Sequence, residues 1–161
     1  MAETTGLQRL LVFDGLDGGQ LERVAGCCRE RAYALGERVF SHGQKADRLF
    51  VVLSGRVELK LVLPGQAESE ADTITSVRVN QVLGWSALTH SPIYTLSAFS
   101  AGEPCRLLEV DRERLLALFR EDPGMGYAVM SNVAEVIRTR FHQLQEEVAR
   151  KKGVNLTEVS F

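Results

Sequence analysis

The chain has 161 residues, a formal net charge of −2, 45% hydrophobic and 25% charged residues. That length suits one domain with a real core and one appended element, and the composition is that of an ordinary soluble globule. A near-neutral chain has no basic field with which to coat nucleic acid through counterion release or to hold to anionic lipid, so neither partner is expected.

No basic-then-apolar leader opens the sequence and no run of about 18 apolar residues occurs, so a cytoplasmic location is predicted. Cys27, Cys28 and Cys105 make a poor disulfide framework, being odd in number with two adjacent. They read as small buried hydrophobes, since cluster ligation normally needs four thiolates.

In chain order, residues 5–30 are predicted helical. Leu7, Leu10, Leu11, Phe13 and Leu16 form a short apolar entry. Asp17 and Gln20 have capping-box spacing ahead of Leu21, Val24, Ala25 and Cys28, which recur at i, i+3, i+4 and i+7. From residue 31 to 110 the period becomes two. Short apolar runs are punctuated by Gly36, Gly43, Ser54-Gly55, Pro64-Gly65, Asn80, Pro92 and Gly102, the spacing of an antiparallel sandwich or barrel. Val57, Leu59, Leu61 and Leu63 alternate onto one face, with Leu49–Leu53 expected as the hairpin partner through Ser54-Gly55. Further alternations run from Thr73 to Val79 and from Tyr94 to Ser100. Residues 65–72, polar and without period, read as a solvated loop.

Residues 111–153 return to helix. Asp111 caps the first segment. Asp122 caps a second, with Pro123 at its first position and Gly153 as its stop. That second helix is about 30 residues or roughly 45 Å long, more than so small a domain can cover. Val133, Ile137, Phe141 and Leu144 carry an apolar stripe along it, so a twin helix from a second copy is the expected partner, giving a homodimer. Residues 154–161 form a tail.

Gly84-Trp85-Ser86-Ala87-Leu88 is the stretch built to hold something. A glycine and small residues opening one helical turn leave backbone N–H groups free to cradle a phosphate or carboxylate. Between Gly84 and Ala101 there is no Lys or Arg. His42, His90 and His142 are scattered without a second ligand at metal spacing and read as surface or capping residues. No Ser/His/Asp set, paired-acid context or Walker-type loop supports catalysis, so the chain is not expected to be an enzyme.

Helices, short strands and two further helices, with Gly36-Glu37, Gly43, Ala46-Asp47, Leu49-Phe50-Val51-Val52-Leu53-Ser54-Gly55, Gly84, Ala87-Leu88 and the alternation Tyr94–Ala98, resemble the cyclic nucleotide-binding domain family, the sensor module of Crp/Fnr-type regulators. The resemblance spans roughly residues 10–150 and implies a mainly β jelly-roll barrel of double-stranded β-helix form with flanking helices. It places the barrel at 31–110 within a single domain, 1–153. It also implies that the ligand-binding cassette is Gly84, Trp85, Ser86, Ala87, Tyr94, Thr95 and Ser97. Family members that bind cyclic nucleotide read Gly-Glu-x-Ala-Leu where this chain has Trp85 in place of the Glu. Nine residues beyond, where protein kinase A-like members carry an Arg, counting gives Tyr94, or Ile93 when Pro92 sets the register. Losing one partner of a buried charged pair costs about 2 to 5 kcal/mol, or roughly 30-fold to several thousand-fold in affinity.

The resemblance therefore implies a sensor that is weak or altered for cyclic AMP and cyclic GMP, or one for another small anionic or aromatic ligand. In the alternative, Trp85 and Tyr94 fill the receptacle and leave a ligand-free scaffold acting through its long helix or on a separate effector protein. A cation could also enter from elsewhere. Arg56, Arg78, Arg138 and Arg140 are the candidates, although each is most simply a solvated surface charge. Regulators of the family that bind DNA carry a helix-turn-helix after the long helix. Val154 to Phe161 is too short for one, so no DNA-binding domain is expected.

Overall fold

The computed structural model describes residues 4–67 and 72–153, so the predicted tail and part of the predicted polar loop lie outside the described residues. The elements are α1 (Thr4–Leu7), a 3-10 turn (Leu11–Phe13), α2 (Gly18–Ala25), β1 (Cys28–Tyr33), β2 (Arg38–Phe40), β3 (Arg48–Leu61), β4 (Asp72–Val77), β5 (Val82–Leu83), a second 3-10 turn (Trp85–Leu88), β6 (Ser97–Asp111), α3 (Arg112–Glu121) and α4 (Pro123–Lys151). All strand pairings are antiparallel, in the order β1-β6-β3-β4, with β2 also on β6 and β5 also on β3. The architecture is the predicted jelly-roll type, mainly β with flanking helices.

Its spine is the β3–β6 pair, registered from Arg48 opposite Asp111 to Lys60 opposite Ser97. Because neighbouring side chains on a strand point to opposite faces, β3 divides its apolar residues between two cores. Leu49 and Val51 join Leu108, Val110, Val24, Leu115, Met125 and Val129 beneath the helices. Phe50, Val52, Val57 and Leu59 join Tyr33, Phe40, Leu83, Tyr94 and Leu107 inside the barrel.

Several expectations need correction. The N-terminal helices are short pieces with Gly15 at φ +85° between them, and they end at Ala25, not at 30: Cys28 already begins β1. The Asp17 capping box is present, its carboxylate accepting from Gln20 N–H at 2.8 Å while Gln20 accepts from Asp17 N–H at 3.0 Å. Leu49–Leu53 and Val57–Leu61 are not a hairpin but one strand, both halves pairing with β6. Ser54-Gly55 bends that strand at a register shift. Gly55 sits at φ +79°, and a Cβ there would lie 2.6 Å from Cys105 Cβ, so the residue serves a close approach and not a reversal. Leu61 and Leu63 are exposed, because the register shifts after Leu59 and the strand ends at Leu61. The last barrel strand starts at Ser97, not Tyr94.

The C-terminal helices are capped as predicted, Asp111 accepting from Arg114 N–H at 2.9 Å and Asp122 from Met125 N–H at 3.0 Å. α4 extends over 29 residues. Its first half is covered by the domain, burying Met125, Val129 and Val133. Val133, at 2% exposure, thus belongs to this chain's own core and leaves the set proposed for a twin helix, whereas Ile137, Phe141 and Leu144 remain exposed. The three cysteines are free and buried, and burial pushes the Cys28 thiol up to about 12.

Candidate functional site

The cassette begins where β5 leaves the barrel. Gly84 takes φ +73° and opens the Trp85–Leu88 turn. A Cβ at Gly84 would meet Phe50 at 3.1 Å, the Arg48 carbonyl at 3.2 Å and Tyr94 at 3.2 Å, so both conformation and space require glycine. Trp85 is half-buried and leans on the core beneath the helices.

Tyr94 enters the barrel interior and is 2% exposed. Its ring stacks on Phe40 with centroids 3.9 Å apart and planes 15° apart. The hydroxyl donates to the Arg48 carbonyl at 2.7 Å, and burial raises its pKa well above the ordinary phenol value. Gly43 N–H donates to the Tyr94 carbonyl at 2.8 Å and Tyr94 N–H to the Gln44 carbonyl at 3.0 Å, pinning the segment from both sides. A side chain so held is part of the wall.

What remains is a cavity of about 50 Å³ lined by Phe40, Leu59, Gly84, Trp85, Ser86, Tyr94, Thr95, Leu96 and Arg140. Small-molecule sites run to roughly 300–1,000 Å³, so this chamber alone is far below ligand size. Two of the predicted cassette residues do not line it. Ala87 is fully buried in the barrel core, with its carbonyl accepting from Arg112 Nε at 2.6 Å. Ser97 is 3% exposed and its hydroxyl accepts from His42 N–H at 2.9 Å. Gly84, Trp85, Ser86, Tyr94 and Thr95 are brought together.

The cation at this cavity comes from α4. Arg140 lines it, and its guanidinium donates to the carbonyl of Val82, the residue that opens β5. Among the described residues no carboxylate pairs with it, and burial lowers its pKa to about 10. The other three candidate arginines do not line the cavity: Arg56 pairs with Glu58, Arg138 with Glu135, and Arg78 lines a separate groove. Helical spacing could have singled out Arg140, since Val133, Val136 and Arg140 stand at i, i+3 and i+7 and so share the face that α4 turns to the barrel. Phe40 gave no such signal, because its meeting with Tyr94 depends on the three-dimensional path of the loop.

Among the described residues no group of three or more His, Cys, Asp or Glu could hold a metal ion, and no helix is long and apolar enough to cross a membrane. The buried polar centre is elsewhere: Glu109, 1% exposed on β6, accepts from Tyr33 Oη at 2.5 Å and from Arg29 Nε at 2.6 Å. Burial alone would raise its pKa, but the hydrogen bonds from Tyr33 and Arg29 outweigh that and hold the carboxyl below its usual range. It ties β1 to β6 and does not line the cassette cavity.

Comparison with known proteins agrees with this fold. The cGMP-dependent protein kinase egl-4 of Caenorhabditis briggsae is 25% identical over 134 residues, covering 82% of this chain and 18% of the kinase. The chain thus spans less than a fifth of that relative. A solved structure from Geobacter metallireducens GS-15, of a protein named for cyclic nucleotide binding, is 28% identical, covers 88% of this chain and 100% of that one, and superposes with a TM-score of 0.76. A cyclic nucleotide-binding domain from Methylobacillus flagellatus KT, 16% identical, shares the fold over 92% of this chain and 83% of its own, with a TM-score of 0.78. The sequence profile of the cyclic nucleotide-binding domain matches residues 30–122, more than half of the chain, and the chain belongs to that family.

Proposed function

We propose that the chain is a non-catalytic regulatory domain whose cyclic-nucleotide receptacle is altered, so that cyclic AMP and cyclic GMP bind weakly and the anion-holding charge is supplied by α4. The observation that carries this reading is Arg140 lining the same cavity as Gly84, Ser86 and Thr95. Trp85 stands where the family's Glu is expected and Tyr94 or Ile93 where its Arg is, and none of the three carries charge at neutral pH. A guanidinium whose bond among the described residues is to a carbonyl, by contrast, is free to exchange that neutral acceptor for a stronger anionic one. Because Arg140 belongs to the long helix, an anion that draws it would bias the position of that helix, and this is the route by which a ligand would be read out. Titration calorimetry with cyclic AMP and cyclic GMP, on the wild type and on Arg140→Ala, tests the reading. Weak binding that disappears in the variant supports it, and low-micromolar binding that survives the variant refutes it.

A second reading has its own support. Ile137, Phe141, Leu144 and Val148 are exposed at 36%, 61%, 43% and 54% along the outer half of α4, with spacings of four, three and four residues. Such a seam suits a parallel or antiparallel twin helix and would act without any ligand. Sedimentation equilibrium on the wild type and on Phe141→Glu distinguishes the cases: a wild-type dimer that the variant converts to monomer supports the seam, and a monomeric wild type excludes it.

A further inference from the structure

On the side of Arg140 away from the cassette lies a far larger space. An open groove of about 740 Å³ runs between α4, the turn before β5 and the 3-10 turn Leu11–Phe13. Its size falls within the roughly 300–1,000 Å³ of small-molecule sites, and its walls are fixed before any ligand arrives. Asn80, the one non-glycine at positive φ among the described residues, accepts from Leu11 N–H at 2.9 Å and donates to the Arg9 carbonyl at 3.0 Å. Asn132 of α4 donates to the carbonyls of Val12 at 3.1 Å and Asp14 at 3.0 Å. Two asparagines therefore staple three separate segments into one trough.

The trough is chemically uneven. Leu11, 64% exposed, and half-buried Val136 give it apolar surface. Arg78 and Arg140 both line it, and neither has a carboxylate partner among the described residues. Of its two acids, Glu135 is occupied by Arg138, whose Nε lies 3.0 Å from each carboxylate oxygen. Asp14 sits at the Asn132 level, about two helical turns from Arg140. Thr75 and Ser76 add neutral polar groups from β4, which ends the strand order among the described residues.

We infer that this groove is a binding site for a small amphipathic organic anion, its apolar body on Leu11 and Val136 and its carboxylate, sulfonate or phosphate on Arg78 and Arg140. The charge complementarity is the argument: two guanidiniums without anionic partners among the described residues face an apolar floor in a preformed trough, the arrangement that a ligand with one greasy and one charged end satisfies. The site is separate from the cyclic-nucleotide reading and shares only Arg140 with it.

The test uses a matched pair of probes, 1-naphthalenesulfonate and neutral 1-naphthol, followed by amide chemical shifts in the full chain. The sulfonate is expected to saturate, to move the amides of Val82, Val136 and Thr139, and to bind at least about tenfold more tightly than the naphthol, the step that one charge-assisted contact supplies. Arg78→Ala combined with Arg140→Ala should erase that preference, while Arg56→Ala, which removes the same charge outside the groove, should leave it intact. Arg78 lines the groove and not the cassette cavity, so Arg78→Ala alone should weaken the sulfonate while leaving cyclic AMP binding within twofold, which separates failure of this site from failure of the cyclic-nucleotide reading. Equal affinity for the two probes, shifts confined to residues 84–96, or no saturation would each overturn the proposal, and the two-probe comparison in the wild type stands even if the double variant does not fold.

Discussion

The guanidinium of Arg140 on α4 donates a hydrogen bond to the backbone carbonyl of Val82, which opens the short strand leading into the cassette. One side chain thereby joins the long helix to the cassette end of the barrel. No carboxylate among the described residues offsets its charge, and burial lowers its pKa to about 10.

Because this cation is desolvated and only partly compensated, its removal should barely change stability. Arg140→Met keeps the aliphatic stem against the barrel and discards the charge. The lost charged hydrogen bond, about 1.5 to 3 kcal/mol, is set against relief of a desolvation penalty of similar size. Urea denaturation should place the variant within about 1 kcal/mol of the wild type. A loss above about 3 kcal/mol would mean that Arg140 is structural first.

Tyr94 should behave as core. Tyr94→Ala deletes a ring stacked on Phe40 and is expected to cost about 3 to 5 kcal/mol. Tyr94→Phe keeps the stack but leaves the Arg48 carbonyl without its hydroxyl donor, for about 1 to 3 kcal/mol. Thermal or chemical unfolding of the two variants checks both values and their order.

Much of this arrangement was legible in the sequence. The helix caps, the long helix, the change of period at the barrel and the Gly84 turn all follow from local chemistry, and local chemistry is what a sequence displays directly. The Ser54-Gly55 reading failed because a turn-forming pair also serves a bulge, and only the crowding against Cys105 decides between the two. Val133 could not be told from Phe141 by spacing, since both lie on one apolar stripe and only the length of the domain determines how far along α4 its cover extends. Ser97 and Ala87 follow the strand and turn patterns, yet their polar groups are taken by His42 and Arg112, contacts distant in sequence.

Gly84→Ala tests the cassette backbone. Its φ of +73° disfavours an L side chain, and the 3.1 to 3.2 Å approaches of Phe50, the Arg48 carbonyl and Tyr94 would have to widen by a few tenths of an ångström for a methyl group. Strain of about 1 to 3 kcal/mol is expected. Gly36→Ala, at a similar φ of +77° with nothing within 4 Å, should cost less, and the difference between the two reports the crowding alone.

Glu109 sets an acid limit to stability. Its carboxyl is held below the usual range in the fold and returns to about 4.3 when unfolded. A depressed folded-state pKa adds stability above the unfolded value, and that stability is lost as pH falls through the folded value. Stability should therefore decline below about pH 4.5, and Glu109→Gln should show a shallower decline over that window from a lower plateau near neutrality. Denaturation midpoints from pH 7 to pH 3 check the difference in slope.

The most direct measurement is calorimetric titration of the wild-type chain with cyclic AMP. A micromolar binder that forfeits about 2 to 5 kcal/mol of charged contacts falls to roughly 30 μM or weaker. The expected result is thus a dissociation constant of tens of micromolar to millimolar, with the remaining heat abolished by Arg140→Ala. Saturation at low-micromolar or tighter affinity, unchanged by that substitution, would contradict the account.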